Sequence, residues 1–145
     1  MTELVVSVDL LTSLSDEDAR ELAHLLSQLS TTAKFDRYRI NALLDHDATE
    51  LIVARAGGRI VGMATLVTFP LPSGLRGHVD DVVVDASMRG RGIARLLLER
   101  MTALASERRL RTLDLTSRPS RESALRLYES VGFVRRDTNV LRFVP

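Results

Sequence analysis

The sequence lacks several residue types on which common chemistries depend. It has no cysteine and no tryptophan, and aromatic residues make up only 4% of its 145 residues. The missing cysteine excludes disulfide bonds, a thiolate nucleophile and cysteine-ligated zinc. The three histidines, His24, His46 and His78, are scattered and show no metal-ligand spacing. We therefore expect a protein that uses no metal.

Neither an excess of one charge nor a long apolar run is present. Twenty basic residues against nineteen acidic ones give a formal net charge of +1, which argues against a general nucleic-acid-binding surface. No apolar run reaches membrane-spanning length, and the N-terminus lacks the basic region of a signal peptide. We expect a cytoplasmic protein without a membrane or nucleic-acid partner.

The chain has the length and composition of one globular domain. With 145 residues, 45% of them hydrophobic, it can bury one core and is too short for two ordinary ones. We find no internal repeat, linker or low-complexity segment in it. A single domain over residues 1–145 is expected, and the oligomeric state is left open, with a homodimer as one option.

Hydrophobic periodicity predicts an α/β fold with about six or seven strands and about four helices. The expected strands are Leu4 to Val8, Glu50 to Ala56, Arg59 to Phe69, His78 to Val84, Thr112 to Thr116, Val134 to Arg136 and Val140 to Val144. The expected helices begin after Ser15, at Lys34 (running to Leu44), after Gly92 and after Ser120. The pair Gly57-Gly58 is typical of a two-residue hairpin turn.

Individual residues in these helices carry further expectations. Ser15 and Ser120 are predicted N-caps, and Gly132 is predicted to end the last helix. His24 lies beside the apolar stripe of the first helix and is expected to be structural. In the second helix, the residues expected to face the core are Phe35, Tyr38 and Ala42.

The most informative stretch is Arg89-Gly90-Arg91-Gly92-Ile93-Ala94, between an apolar strand pattern and a helical one. This layout leaves the first helical N–H groups unpaired, and such donors bind phosphate together with the positive end of the helix dipole. The glycines let the backbone approach a ligand closely. The alternative interpretation is a plain tight turn with solvated arginines. Neither G-x-x-x-x-G-K-[ST] nor G-x-G-x-x-G occurs, which argues against a nucleotide site.

Two motifs together resemble the GNAT family of N-acetyltransferases. The first is Arg-x-x-Gly-x-Ala at residues 89–94, and the second is Leu-Tyr-Glu-Ser-Val-Gly-Phe at residues 127–133. The resemblance is close from about His78 to Phe133. It implies a mixed, mostly antiparallel central sheet flanked by helices, and transfer of an acetyl group from acetyl-CoA to a primary amine.

The resemblance also implies where the coenzyme lies. It places the pyrophosphate on the turn from Arg89 to Ala94, with backbone N–H groups as the main donors. It places the pantetheine arm along Val82, Val83 and Val84 as a pseudo-strand. A backbone N–H of that strand would polarise the thioester carbonyl, as an oxyanion hole does. The valines are interpreted equally well as a buried strand, and both roles can hold together.

Tyr128 matches the tyrosine of the second motif, which implies a general acid for the departing thiolate. A phenol with a reference pKa of about 10 is protonated at neutral pH and can donate a proton. Since Tyr128 also lies on the apolar stripe of its helix, a core tyrosine is the alternative. Related sequences often carry an asparagine in this helix, and its absence here predicts that one amide contact to the pantetheine is missing.

The general base is expected to be His78 or Asp80. Alternate residues of a strand share a face, and those predicted to share one are His78, Asp80, Val82 and Val84. An imidazole, with a reference pKa of about 6.5, can accept a proton at neutral pH. Asp80 could do so if burial raised its pKa, or through a water. The alternative for Asp80 is a structural role, pairing with an arginine or capping a turn.

The transfer is expected to be direct, within a ternary complex. There is no cysteine, and no serine has an elbow or triad signature, so a covalent acetyl-enzyme is not predicted. The acceptor would lie among residues 28–38, 70–77 and 137–140, whose charges select no single amine. A peptide or a small-molecule amine is therefore expected. A regulatory module that binds coenzyme A without turnover is the alternative.

Overall fold

A five-stranded sheet forms the centre of the structure, a computed structural model that describes residues 5–145. Its strands, in the same order along the chain and across the sheet, are β1 (Val6–Leu10), β2 (Thr49–Ala56), β3 (Arg59–Leu71), β4 (Gly74–Val84) and β5 (Thr112–Asp114). Neighbours from β1 to β4 pair antiparallel, and β5 pairs parallel to β4. The predicted α/β class with a mixed, mostly antiparallel sheet is confirmed.

Four α-helices flank this sheet within the described residues, as expected. They are α1 (Asp16–Leu29), α2 (Arg37–Asp45), α3 (Ile93–Glu107) and α4 (Glu122–Ser130), and a short 3-10 turn, Ala86–Met88, precedes α3. One apolar cluster packs α3 and α4 on one face of the sheet, around Leu66, Leu97 and Met101. A second packs α1 and α2 on the other face, around Leu22 and Leu25.

The turns and caps that depend on neighbouring residues form as predicted. Ser15 accepts a hydrogen bond from the Asp18 N–H at 3.0 Å and caps α1. Gly57 and Gly58 have φ values of 59° and 81°, the left-handed conformation that a two-residue hairpin turn requires. Gly132, with φ of 109°, follows the end of α4.

The predicted strands 134–136 and 140–144 are absent, so the sheet has five strands rather than six or seven. No strand lies beside this segment in the described chain, and a strand needs a partner for its backbone hydrogen bonds. Each of the five strands also differs from its predicted range at one end or more, by one or two residues in β2, β3 and β5. β4 begins at Gly74 because the β3–β4 pairing continues to Leu71 and Gly74. β1 ends at Leu10, and the predicted start, Leu4, lies outside the described residues.

Three predictions on helices are wrong. α2 begins at Arg37, where the Asp36 side chain caps it, later than the predicted Lys34. The residues of α2 that pack on the core are Ile40, Leu43 and Leu44, and Phe35, as predicted, also packs there from the segment before the helix. Tyr38, with 85% of its surface exposed, and Ala42 face solvent instead. In α4, the residue at the N-cap is Arg121, without a capping side chain, rather than Ser120.

A β-bulge in β4 shows that one prediction is wrong, namely that His78, Asp80, Val82 and Val84 share one face of the strand. Thr65 pairs with Asp80 and Met63 with Val83, so the single residue between them on β3 lies opposite both Asp81 and Val82. Asp81 has φ of 52°. The extra residue reverses the alternation of side chains along the strand.

The reversal is visible in the packing of the β4 valines. Val79 packs in the cluster beneath α3, whereas Val83 belongs to the cluster beneath α1 and α2. Val82 and Val84 pack on the α3 side. By alternation with Val79, His78 and Asp80 face the α1–α2 side, opposite to Val82 and Val84.

Candidate active site

The turn between β4 and α3 is open on its outer side. Gly90 and Gly92 have φ values of 78° and 77°, in the left-handed region that glycine occupies without strain. No heavy atom lies within 4 Å of the position that a Cβ would take at either glycine. Gly92 is the N-cap of α3. The backbone of this turn is therefore accessible to a ligand.

The same turn carries a row of unpaired donors. In the described chain, the N–H groups of residues 89–95 make no hydrogen bond to another backbone group outside the helix, and the Leu96 N–H is the first to pair, with Gly92 O at 3.1 Å. These donors lie at the N-terminus of a helix of 15 residues. Donors and helix dipole together form an anion site suited to a phosphate group.

The arginines around the turn have different surroundings. Arg95 donates from Nη1 to Ser130 Oγ at 2.8 Å and pairs through Nε with Glu99 at 2.9 Å. It thereby links the first turn of α3 to the end of α4. Arg89 donates from Nε to Val84 O at 3.3 Å, and Arg91 is exposed. Arg89 and Arg91 carry positive charge that no described carboxylate neutralises through an ion pair.

The edge of β4 opens beside this turn. β5 pairs with β4 only where Arg76–His78 meet Thr112–Asp114. Beyond His78, β4 continues to Val84 with β3 on one side and no strand of the described chain on the other. In a strand, alternate backbone N–H and C=O groups point to this free edge. An extended ligand with amide groups can pair there as an additional strand, and the edge leads directly to the phosphate-type turn.

Tyr128 lies in the cluster that covers this region. It is the buried residue of α4, with 9% of its surface exposed, and it packs with the α3 cluster to which Val82 and Val84 also contribute. Its ring meets the Phe133 ring edge-on, with 6.3 Å between centroids and 69° between planes. The bond between Arg95 and Ser130 holds this part of α4 close to the start of α3.

The predicted bases lie on the other face of β4, as the bulge requires. His78 Nε2 is 3.7 Å from Asp80 Oδ2, and Asp80 Oδ1 accepts the Asp81 N–H at 2.9 Å. Partial desolvation raises the pKa of the Asp81 carboxyl above its usual range, and the Asp80 carboxylate adds to this rise. Asp81 keeps an exposed surface, so solvent moderates the effect. Sequence reasoning missed Asp81 because a bulge has no clear local signal.

A second group that sequence reasoning missed ties α1 to the turn. Gln28 donates from Nε2 to Asp85 Oδ1 at 2.7 Å and accepts the Ala86 N–H at 2.8 Å. His24 Nε2 lies 3.2 Å from the same Asp85 oxygen. Hydrogen bonds from Gln28, then from Ser87, and the nearby His24 hold the pKa of Asp85 below its usual range. We call Gln28, His24 and Asp85 the α1 clamp.

Two of the charged residues in the segments expected around the acceptor form ion pairs within the protein. Arg37 donates to Leu14 O at 3.0 Å and also pairs with Asp16. Arg76 pairs with Asp114 at 2.8 Å. Of the four charged residues expected there, Lys34 is exposed without an ion pair in the described chain, and Asp137 lies in the exposed C-terminal segment. These charges alone select no acceptor.

Two further observations concern the described part of the chain as a whole. Among residues 5–145, no group of three or more histidine, aspartate or glutamate side chains is placed to hold a metal ion. None of the helices there combines the length and the apolar character needed to cross a membrane.

A helix start with free N–H groups lies beside an open strand edge, an arrangement with the donors that an extended, phosphate-bearing ligand needs. The sequence matches the acetyltransferase (GNAT) family over residues 12–133. The chain belongs to this family, and the resemblance carried by residues 89–94 and 127–133 is confirmed. Members of the family use acetyl-CoA as the acetyl donor.

Similar proteins act on different amines. The chain is 35% identical over 88 residues to a glucosamine 6-phosphate N-acetyltransferase of Trypanosoma brucei brucei, a match that spans 59% of this chain and only 58% of that protein. It is 32% identical over 124 residues to the N-alpha-acetyltransferase RimI of Mycobacterium tuberculosis, covering 85% of this chain and 77% of the relative.

One solved structure of comparable sequence identity is, like the second relative, an N-acetyltransferase. A ribosomal-protein-alanine N-acetyltransferase from Brucella melitensis is 31% identical, with a TM-score of 0.73, over 95% of this chain and 99% of that one.

Proposed function

We propose that this protein transfers the acetyl group of acetyl-CoA to the α-amine of a peptide or protein. The observation that carries the proposal is the continuity of two features. Unpaired N–H groups of residues 89–95 lie at the end of the free β4 edge, so one extended molecule can place its pyrophosphate on the first and its pantetheine arm on the second. Val82, Val83 and Val84 supply that edge, and one of their N–H groups polarises the thioester carbonyl.

The transfer is direct. The amine nitrogen attacks the thioester carbonyl carbon, the tetrahedral intermediate collapses, and the C–S bond breaks to give an amide and the thiolate of coenzyme A. One proton passes from the amine to a base, and another passes to the departing sulfur. Without a cysteine in the chain, no thiolate is available for an acetyl-enzyme, and a ternary complex needs the fewest steps.

Tyr128 donates the proton to the sulfur. Its burial in the cluster shared with Val82 and Val84 supports this role, because those valines mark the edge along which the pantetheine would lie. A phenol is protonated at neutral pH and suited to protonating a thiolate.

Asp80, assisted by His78, removes the proton from the amine. The bulge directs both side chains to the α1–α2 face, the face on which residues 28–38 of the expected acceptor region lie. The coenzyme would therefore occupy the strand edge while the amine approaches from the face. Asp81, with its raised pKa, forms a second carboxyl group beside Asp80 that can share the proton.

The choice of an α-amine rests on the two relatives that exceed 30% identity over most of the chain. The chemistry is consistent with it. A peptide α-amine has a reference pKa of about 7.7–8.0, so roughly a tenth is free base at neutral pH, against about one in 10³ for a lysine side chain. An exposed aspartate such as Asp80, with 66% of its side-chain surface accessible, is a sufficient base for the first amine. The cytoplasmic location and the single domain remain predictions from sequence.

The experiment is a thiol-release assay over an amine panel with the purified protein. A cysteine-free enzyme gives no background with a thiol reagent. We expect release of coenzyme A with peptides that have a free N-terminus, and much less with the same peptides Nα-blocked and carrying a lysine, or with glucosamine 6-phosphate. If the protein binds the coenzyme but releases no coenzyme A with any amine, it is not an acetyltransferase, and the regulatory module that binds coenzyme A without turnover is favoured. Preference for the sugar would contradict the acceptor class alone.

A further inference from the structure

The side chain of Gln28, in the last turn of α1, makes two hydrogen bonds to consecutive residues that follow β4. Its Nε2 donates to Asp85 Oδ1 at 2.7 Å, and its Oε1 accepts the Ala86 N–H at 2.8 Å. A primary amide carries a donor and an acceptor side by side, so both bonds can form at once. A carboxylate at this position could not donate to Asp85. The two contacts therefore need an amide.

Asp85, one partner of Gln28, fixes the chain immediately before residues 89–95, which we call the donor turn. The Asp85 N–H bonds to Val61 O at 2.8 Å, and the Met88 N–H bonds to Asp85 O at 2.8 Å. Ser87 Oγ donates to the second carboxylate oxygen of Asp85. The N–H groups of the donor turn itself have no backbone partner in the described chain. The placement of these donors therefore depends on the residues at the two ends of the turn, and Asp85 holds the end that follows β4.

Gln28 is also the first residue of the segment expected around the acceptor, residues 28–38. The chain that leaves α1 is fixed by two bonds of Ser30. Its N–H bonds to Leu26 O at 3.0 Å, and its Oγ accepts the Ala33 N–H at 2.9 Å. A movement of Gln28 would therefore displace the start of the acceptor segment as well. One side chain connects this segment to the end of the donor turn.

Helix α1 is attached to the sheet without these contacts. Its apolar residues pack in the cluster beneath α1 and α2. Asp18 pairs with Arg55 at 3.0 Å, and Glu21 Oε1 accepts the Ile60 N–H at 3.2 Å. All of these contacts would remain without the Gln28 amide, so the helix should stay in place. The contacts of Gln28 serve the geometry of the site more than the attachment of the helix.

We propose that Gln28 is a positioning residue through which coenzyme binding and acceptor binding strengthen each other. A bound pyrophosphate orders the donor turn, the ordered turn keeps Asp85 and Ala86 in place, and these two residues hold Gln28 and the start of the acceptor segment. The coupling is reciprocal, because each ligand must change the affinity of the other by the same factor. The inference rests on the proposed acetyl transfer, since it needs both ligands at this site.

The first experiment measures the coupling without turnover. Calorimetric titration gives the Kd of coenzyme A, which has no acetyl group to donate, with and without a saturating short peptide that has a free N-terminal alanine. In the wild type, the peptide should lower this Kd by about 5-fold or more, the low end of typical couplings between two sites. In Gln28→Ala, the ratio of the two Kd values should fall close to 1.

Glu21→Ala is the matched control for Gln28→Ala. It also removes a hydrogen bond between a half-buried side chain of α1 and the backbone of another element, but that bond lies at Ile60 beside the β2–β3 hairpin. It should lower the melting temperature to a similar extent and keep the coupling. Loss of the coupling in both variants, or in neither, would overturn the proposal.

A second pair of variants tests the same contact from its other end and leaves Gln28 unchanged. Asp85→Asn keeps an oxygen that can accept from Gln28 Nε2, whereas Asp85→Ala removes it. We expect the coupling to be retained in Asp85→Asn and reduced in Asp85→Ala. An equal loss in both would show that the charge of Asp85 is needed rather than its bond with Gln28, and this result would also contradict the proposal.

Steady-state kinetics gives an independent readout that a merely structural role of Gln28 would not change. The apparent KM of the wild type for the peptide should fall as the acetyl-CoA concentration rises. In Gln28→Ala, this KM should no longer depend on acetyl-CoA, while kcat changes less. A dependence equal to that of the wild type would argue against the coupling through Gln28.

The titration also separates this inference from the proposed function. If the peptide is acetylated but does not change the Kd of coenzyme A in the wild type, the coupling is wrong and the acetyl transfer stands. If coenzyme A does not bind to the wild type, both are wrong. If glucosamine 6-phosphate is acetylated instead of the peptide, only the acceptor class is wrong, and the same titration with that sugar decides on the coupling.

Discussion

The coenzyme side and the acceptor side of the candidate site are built in different ways. The coenzyme side consists of consecutive residues, 89–95, whose conformation follows from two glycines and the start of a helix. The acceptor side is assembled from distant ones. Gln28 reaches Asp85 across 57 positions of sequence, and the direction of Asp80 depends on a bulge opposite β3. The coenzyme side, which a short stretch of sequence encodes, is suited to a ligand that is the same in every member of the family. The acceptor side, which tertiary contacts build, is suited to a ligand that differs between members.

The largest expected effect tests the coenzyme side alone. Gly92→Glu should abolish the thermal stabilisation of the protein by acetyl-CoA, because a carboxylate would occupy and repel the pyrophosphate position. Measurement is by thermal shift with and without the coenzyme.

Gly58→Glu is the matched control for this variant. Gly58 has a similar φ, 81° against 77°, and open space around its Cβ position, but it lies in the β2–β3 hairpin. It should cost comparable stability and retain the coenzyme response. A folded Gly92→Glu protein that still binds acetyl-CoA would remove the turn from the site.

The second prediction concerns the point where the two sides meet. Tyr128→Phe should keep coenzyme affinity and lower turnover by about 10²-fold or more, the usual effect of losing a positioned acid. The phenyl ring preserves the packing with Phe133, so the melting temperature should change little. Tyr38→Phe removes the other phenol of the chain, at an exposed position on the edge of the expected acceptor region, and its turnover at saturating amine should equal that of the wild type. If Tyr128→Phe turns over normally while chemistry limits the rate, Tyr128 belongs to the core only.

The third prediction tests the acceptor side. Asp80→Asn should lower turnover by about 10-fold with an α-amine substrate, less than the usual effect of about 10²-fold or more for losing a general base, because part of the amine is already neutral. His78→Gln should have a smaller effect. In the wild type, turnover should rise with pH through one apparent pKa, and Asp80→Asn should abolish or displace that step. A pH–rate profile unchanged in both variants would show that the amine needs no base from β4.

The smallest expected effect concerns the α1 clamp that joins the two sides. The pKa of Asp85 is lowered in the folded protein, so its ionised form stabilises the fold at neutral pH, and this stability is lost as the pH falls below about 4. Asp85→Asn should therefore reduce the difference in melting temperature between pH 7 and pH 2, the range in which the Asp85 carboxylate becomes protonated in the folded protein. Asp47→Asn, an exposed position before β2, should leave the difference unchanged. Equal pH dependence in both variants would contradict the clamp.

What could be predicted from the sequence follows the same division. Ser15 and Gly57-Gly58 act on residues three positions away or fewer, and their conformations were predictable. The direction of Asp80 was not, because the register of β3 against β4 decides it. Residues 140–144 have the composition of a strand, but they form none in the described chain. A strand needs a neighbouring strand for its backbone hydrogen bonds, and the composition of a segment does not show whether it has one. The prediction that Tyr38 faces the core was wrong because Phe35 lies before α2 and does not define its buried stripe, which Ile40, Leu43 and Leu44 form.

The bulge at Asp81 has a consequence for how this strand tolerates change. Side chains of a strand alternate between the two faces of the sheet. One extra residue in a bulge therefore exchanges the faces of the odd- and even-numbered positions beyond it. Deleting Asp81 would remove the second carboxyl group and the bulge, but Asp80 and Val82 would stay on opposite faces, because they would become neighbours in a regular strand and the pairs Thr65–Asp80 and Met63–Val83 would be kept. β4 can therefore lose one residue at the bulge without exchanging its two faces, whereas a deletion at a regular position, such as Val79, would move the residues on one side of it to the opposite face.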